Sequence, residues 1–277
     1  GTYNFDDSFF VGGKNCPVFI YTKTDGNPVS NTSIATTKDV IINFTASAPS
    51  NQGLSFVDCN SQLAVKGIQF TSSNDITKTF NYLRFLRCPK IDVLNCAFEH
   101  IGSSPNDRHR GIEVVQSSGQ IRQNVFMNMQ NGITLYDGSR ISCDQNVSGA
   151  TFGKTTSDSY YWQSDHSYVD GREVGYNGKI YKAQVNIEAG ESAPDSNSNW
   201  SETRSSIPNE PVHAMTAMEG SMTQEYYQQE ANFYGSSTHR RTRTGGIIWG
   251  FNDYHKGIFT LDSAGASPLY VLTDENA

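Results

Sequence analysis

Residues 54–147 state one pattern four times. Leu54-Ser55-Phe56 returns as Leu83-Arg84-Phe85, as Ile112-Glu113-Val114 and as Ile133-Thr134-Leu135, at steps of 29, 29 and 21 residues. A small residue stands three positions after each run, at Cys59, Cys88, Ser117 and Gly138. A second short run follows each time, over 65–70, 93–98, 121–126 and, more loosely, 141–147. Apolar and polar residues alternate within the runs, the period of a half-buried strand, and none has the helical period.

Self-similarity at this spacing is the mark of stacked repeats. Two strands per turn with a small residue at the corner predict an all-β chain wound as a right-handed parallel β-helix over residues 1–156. Leu54, Phe56, Leu83, Phe85, Ile112, Val114, Ile133 and Leu135 then line one interior, turn upon turn at roughly 4.8 Å. Residues 1–53 read as earlier, less regular coils. Val18–Tyr21 and Val40–Phe44 are strand-like, and Asp25-Gly26-Asn27-Pro28 is a turn signal. The chain opens in mid-pattern, as a piece of a longer protein would.

Low charge and abundant small polar residues suit a turn-rich β protein. A net charge of −7 argues against nonspecific nucleic-acid binding as the main task. No run approaches the roughly 18 apolar residues of a membrane span, so no membrane insertion is expected. The five cysteines match no metal-ligand spacing, and no cofactor is implied. Cys59, Cys88, Cys96 and Cys143 fall in or beside the repeats. They read as reduced, apolar interior fillers, with a disulfide as the other option, and free buried thiols point to folding in a reducing cytosol.

The longest excursion leaves the third turn over residues 99–111, and solenoid insertions tend to gather on the binding face. It carries Glu99, Asp107, Arg108, His109 and Arg110. Glu113 alternates with Ile112 and Val114, so it points outward, with Arg84 in the same column one turn earlier. Asp137 follows Tyr136 one turn later. Glycoside cleavage needs one carboxyl to protonate the leaving oxygen and another as base or nucleophile. Glu113 and Asp137 are the first candidates for that pair, with Glu99 and Asp107 as substitutes. Arg84, Arg108, His109, Arg110 and Tyr136 are candidate sugar contacts. The alternative is a solvated charged face, with Arg84 and Glu113 a cross-turn ion pair.

Residues 157–204 differ in character. Tyr160-Tyr161-Trp162 opens an aromatic-rich segment. Tyr168, Gly171, Val174, Asn177-Gly178, Tyr181 and Ala183, then Gly190, Pro194 and Trp200, follow in an order that resembles the small chitin-binding-type carbohydrate-binding modules. The resemblance implies a small β module with a tight Asn-Gly hairpin. That family places exposed aromatics after the Tyr-x-Ala, where this chain has Val185-Asn186. The expected stacking platform is therefore missing. Tyr160, Tyr161 and Trp162 either replace it or form the module's core.

Residues 205–277 begin with a linker composition, and Met215, Met218, Met222, Tyr226 and Tyr227 then fit a short helix or an irregular strand. The basic run 239–243 reads as a solvated face or an inter-chain ion-pair ladder. Strand-like runs over 246–252, 257–261 and 268–272 have too few partners for a core of their own, so C-terminal strands intertwined in a homotrimer are expected. Taken together the chain resembles a bacteriophage tailspike or tail fibre. That resemblance implies a homotrimer folded in the host bacterial cytoplasm and carried on the virion tail. It also implies recognition, and in many members depolymerisation, of a bacterial surface polysaccharide. A secreted polysaccharide lyase or hydrolase and a non-enzymatic adhesin stalk are the alternatives.

Overall fold

The computed structural model describes residues 1–24, 27–28, 34–45, 52–72, 79–101, 109–153, 160–226, 239–242, 246–250 and 258–261. They form an all-β protein with no α-helix among the described residues. Three parallel sheets carry the repeats, and the chain visits them in rotation. One turn is Gln52–Val57 in the first sheet, Leu63–Lys66 in the second and Ile68–Ser72 in the third. The next is Phe80–Leu86, Ile91–Leu94 and Ala97–His100. Then come His109–Val115, Ser118–Arg122 and Val125–Met127, followed by Asn131–Tyr136, Arg140–Asp144 and Val147–Ser148.

The repeat register is the one the sequence implies. Leu83 lies opposite Leu54 and Ile112, and Ile133 lies opposite Ile112. All eight predicted interior residues are buried. Phe56 stacks on Phe85 at 5.3 Å, and Phe70, Phe98 and Phe126 stack in turn at 5.1 and 5.2 Å, nearly coplanar. Equivalent residues one turn apart sit at strand spacing, so like rings meet face to face with a small offset.

The turn has three strands, not two. Each second run breaks at a residue with positive φ: Gly67 (70°), Asn95 (53°), Gln123 (56°) and Gln145 (49°). The left-handed conformation redirects the chain into the third sheet. Side-chain amides support that corner. Asn124 Oδ1 accepts from the Cys96 amide at 2.9 Å, Asn146 Oδ1 accepts from the Asn124 amide at 3.2 Å, and Asn146 Nδ2 donates to the Ile121 carbonyl at 2.8 Å. The other corner has its own ladder. Ser117 Oγ accepts from the Cys88 amide, Ser139 Oγ from Ser117 and Ser221 Oγ from Ser139. Ser139, not Gly138, is thus the fourth small corner residue, because Asp137 and Gly138 both adopt positive φ and lengthen that turn by one residue.

All five cysteines are free. Four are buried in the winding and Cys16 is exposed. Burial pushes the thiols of Cys88 and Cys96 up to about 11. The early coils belong to the same sheets: Thr2–Phe5 and Val40–Phe44 lie in the third, Phe9–Gly12 in the first and Val18–Tyr21 in the second.

Residues 149–212 interrupt the winding. A 3-10 turn at Gly149–Gly153 leads to an antiparallel sheet of Glu173–Tyr176, Lys179–Ala183 and Trp200–Arg204. Asn177 (48°) and Gly178 (75°) both have positive φ, as a tight hairpin turn requires. Tyr168, Val174, Tyr181, Ala183, Ile187 and Trp200 form its core, and Val185 is exposed. A second cluster joins it to the winding. Ala97, Val125, Met127 and Val147 on the outer face of the third sheet are covered by Phe152, Tyr160 and Ile180.

Among the described residues the C-terminal strands pair with strands of the same chain. His213–Ala217, His239–Thr242 and Ile258–Leu261 extend the first sheet in parallel from Asn131–Tyr136. Met222–Tyr226 and Ile247–Gly250 extend the second from Arg140–Asp144. Met215 continues the column of Ile133, so the winding supplies the core that the tail lacks alone. Tyr227, Arg243 and residues 268–272 lie outside the described residues. Replacing Phe85, fully buried between Phe56 and the next turn, by Ala should cost about 3–5 kcal/mol in urea unfolding. A loss under 1 kcal/mol would contradict the stacked core.

Candidate functional site

The first sheet's outer face brings four predicted residues together. Arg84 and Glu113 are register partners on adjacent turns. Arg84 Nε donates to Glu113 Oε1 at 2.8 Å, and Arg110 Nη1 donates to Glu113 Oε2 at 3.1 Å. The same Arg110 atom donates to the Tyr136 hydroxyl at 2.7 Å, one turn further. Burial raises the Tyr136 phenol above its usual range. Both Glu113 oxygens therefore accept from guanidinium groups. Charge-assisted bonds of this kind hold the Glu113 side chain in one position.

Asp137 is exposed at the corner beyond Tyr136, and its carboxyl is hydrogen-bonded to that of Glu219 on the next turn. The Gly138 amide also donates to the Glu219 carbonyl at 2.9 Å. The hydrogen bond to Asp137 raises the Glu219 carboxyl above its ordinary value. Sequence reading missed Glu219, yet a signal was there. Leu135-x-Asp137-Gly138 and Ala217-x-Glu219-Gly220 share one pattern, and Asp137 (49°) and Glu219 (54°) take the same left-handed conformation.

Glu99 does not join this group. It lies on the third sheet, where Arg204 grips it with Nη1 at 2.8 Å and Nη2 at 2.7 Å. Arg204 Nε also donates to Thr36 Oγ1. Glu173, fully buried, accepts from the Thr36 amide at 2.8 Å, the Thr36 hydroxyl at 2.7 Å and the Thr37 hydroxyl. Arg204 and Glu173 thus dock the insertion, and no local sequence signal pairs residues this far apart.

His109 is not a surface contact. It pairs with the inward Phe80 in register, is fully buried, and stacks on His100 at 3.9 Å. Tyr160 is likewise core, packed on Phe152 at 5.0 Å. Tyr161 and Trp162 are half-buried around Tyr176, with ring centroids 6.3 and 5.2 Å away. Asp107 and Arg108 lie outside the described residues.

Two cavities flank these groups. A polar cleft of about 440 Å³ lies where Glu99, His100 and Asn128 meet the returning 203–209 segment. A pocket of about 250 Å³ sits on the insertion between Tyr161, His166, Tyr168 and Arg172. Among the described residues no group of three or more His, Cys, Asp or Glu could hold a metal ion, and no helix is long and apolar enough to cross a membrane. No protein-family model matches the chain, and no curated protein or solved structure is significantly similar to it.

Two outcomes follow from the ion pairs. Arg204→Ala leaves Glu99 largely buried without its cation and should cost about 3 kcal/mol by chemical denaturation. An unchanged midpoint would mean that the insertion docks by its apolar contacts alone. The Glu219 carboxyl, followed by carbon NMR, should titrate above the usual glutamate range. Its raised value means that the proton on Glu219 stabilises the corner at acid pH, and that this is lost as pH climbs through that value. Asp137→Asn should bring the midpoint down, and no movement would remove the pair.

Proposed function

We propose that this chain is part of a bacteriophage tailspike or tail fibre. In this reading it is a right-handed parallel β-helix that works as a homotrimer on the virion tail and recognises a bacterial surface polysaccharide. The observation that carries the reading is a row across three successive turns, in which Arg84, Glu113, Arg110 and Tyr136 are linked by hydrogen bonds. A rigid row of charged donors and a phenol suits repeated hydroxyl or carboxylate groups along an extended glycan, at little ordering cost.

Recognition fits the carboxylates better than hydrolysis does. Hydrolytic pairs stand about 5–5.5 Å apart when retaining and about 6.5–9.5 Å apart when inverting. Asp137 and Glu219 instead share a hydrogen bond, and Glu99 and Glu113 are held by arginines. The homotrimer reading is supported by the aromatics Phe10, Phe19 and Tyr21 on the outer faces of the first described turn. They are exposed by 65%, 51% and 47%. Such side chains are expected against another chain.

The test is a panel of purified capsular and lipopolysaccharide glycans, read by surface plasmon resonance and by chain length. At least one should bind, without shortening. Arg84→Ala with Arg110→Ala should weaken it about a hundredfold, the scale of two charge-assisted hydrogen bonds. Light scattering should give three times the 30.6 kDa chain mass. A monomer would sink the trimer, and a panel with no binder would sink the polysaccharide reading.

A further inference from the structure

The cleft between the third sheet and the insertion's return strand is unused by the row on the first sheet. It opens at the C-terminal end of Ala97–His100. Its floor is Asn128, which holds a left-handed φ of 50° and donates through Nδ2 to the His100 carbonyl at 2.7 Å. The Asn128 amide donates to the Asn209 carbonyl at 2.8 Å, and the Ile207 amide donates to the Gly178 carbonyl at 3.1 Å. The returning wall is therefore pinned to the winding at one point and to the insertion's hairpin at another. The Arg204–Glu99 ion pair closes the third side.

The lining has a definite chemistry. Glu99 and Arg204 neutralise each other through two hydrogen bonds, so among the described lining residues neither is left free for a phosphate or an acidic peptide. Thr203, Ser205, Ser206 and Asn209 supply hydroxyl and amide groups, which both donate and accept. Asn128 Oδ1 is shielded from solvent and accepts no hydrogen bond among the described residues, so Asn128 serves the cleft as a wall, through its bond to the His100 carbonyl. Ile101, 51% exposed, adds an apolar patch at the rim. A volume of about 440 Å³ falls within the usual size of small-ligand sites, which runs from about 300 to 1,000 Å³.

We propose that this cleft binds an uncharged sugar unit of the polysaccharide, with the hydroxyl and amide groups of the 203–209 wall making the hydrogen bonds to its ring hydroxyls. The assignment rests on the polysaccharide reading and adds a second contact, on a different sheet from the first. It gives the insertion a role as well. Arg204 docks it, and that docking forms one side of the cleft.

The test uses the full chain, a panel of purified neutral and acidic bacterial surface polysaccharides, and two variants. Ser206 is exposed at the edge of the cleft, so Ser206→Trp fills the space without disturbing a core. Asn209 is exposed and lines the cleft, so Asn209→Ala removes an amide group there without opening a core. At an unchanged melting temperature, each should weaken a glycan containing neutral units about tenfold, the scale of one lost hydrogen bond. Wild-type affinity in Ser206→Trp, on a glycan the protein binds, would overturn the cleft and leave the polysaccharide reading standing. Binding confined to glycans made only of acidic units would overturn the neutral-unit assignment. A wild-type protein that binds nothing in the panel would overturn both.

Discussion

Everything in this protein depends on the parallel backbone register between successive turns. Each strand of the three parallel sheets pairs with its counterparts in the turns before and after it. Stability is therefore shared between neighbours, as in any stacked repeat. The register places Leu54, Leu83, Ile112, Ile133 and Met215 in one inward column, and the same register places Arg84 against Glu113 outside. A slip of one residue would exchange core and surface together.

The corners are where this regularity is enforced. Left-handed residues recur at Asp58, Arg87, Gln116, Asp137 and Glu219, and again at Gly67, Asn95, Gln123 and Gln145. Non-glycine residues rarely adopt that conformation. Here neighbouring turns hold it through serine hydroxyls at one corner and asparagine amides at the other. The Asp137–Glu219 contact belongs to this system. Two acids meet there because two corners stack, which accounts for the contact without a catalytic demand.

The insertion shows how a module can be added without breaking the winding. The chain leaves after Val147–Ser148 and returns at His213–Ala217, in register with the strand it would have paired with next. It lands on an apolar patch of the third sheet's outer face, at Ala97, Val125, Met127 and Val147. Arg204 and Glu173 then fix its orientation through partners on the winding. Burial in that interface is why Tyr160 packs as core, leaving Tyr161 and Trp162 at the edge.

The sequence by itself determined the repeat, its register and its interior, because alternation and spacing are local and every turn repeats them. It also marked the hairpin at Asn177-Gly178, where positive φ is needed at both positions, and the row of Arg84, Glu113, Arg110 and Tyr136. The third strand of each turn was hidden, since a positive φ at Gln123 or Gln145 leaves no mark in hydrophobic patterning. The inward turn of His109 was hidden for a related reason: its side depends on the register with Phe80 across a turn. Only the tertiary structure decided the fate of Glu99 and of the C-terminal strands. Arg204 lies 105 residues from Glu99, and Met215 lies beyond an entire insertion from Ile133. Contacts at that separation are set by how the turns stack, which no local spacing encodes.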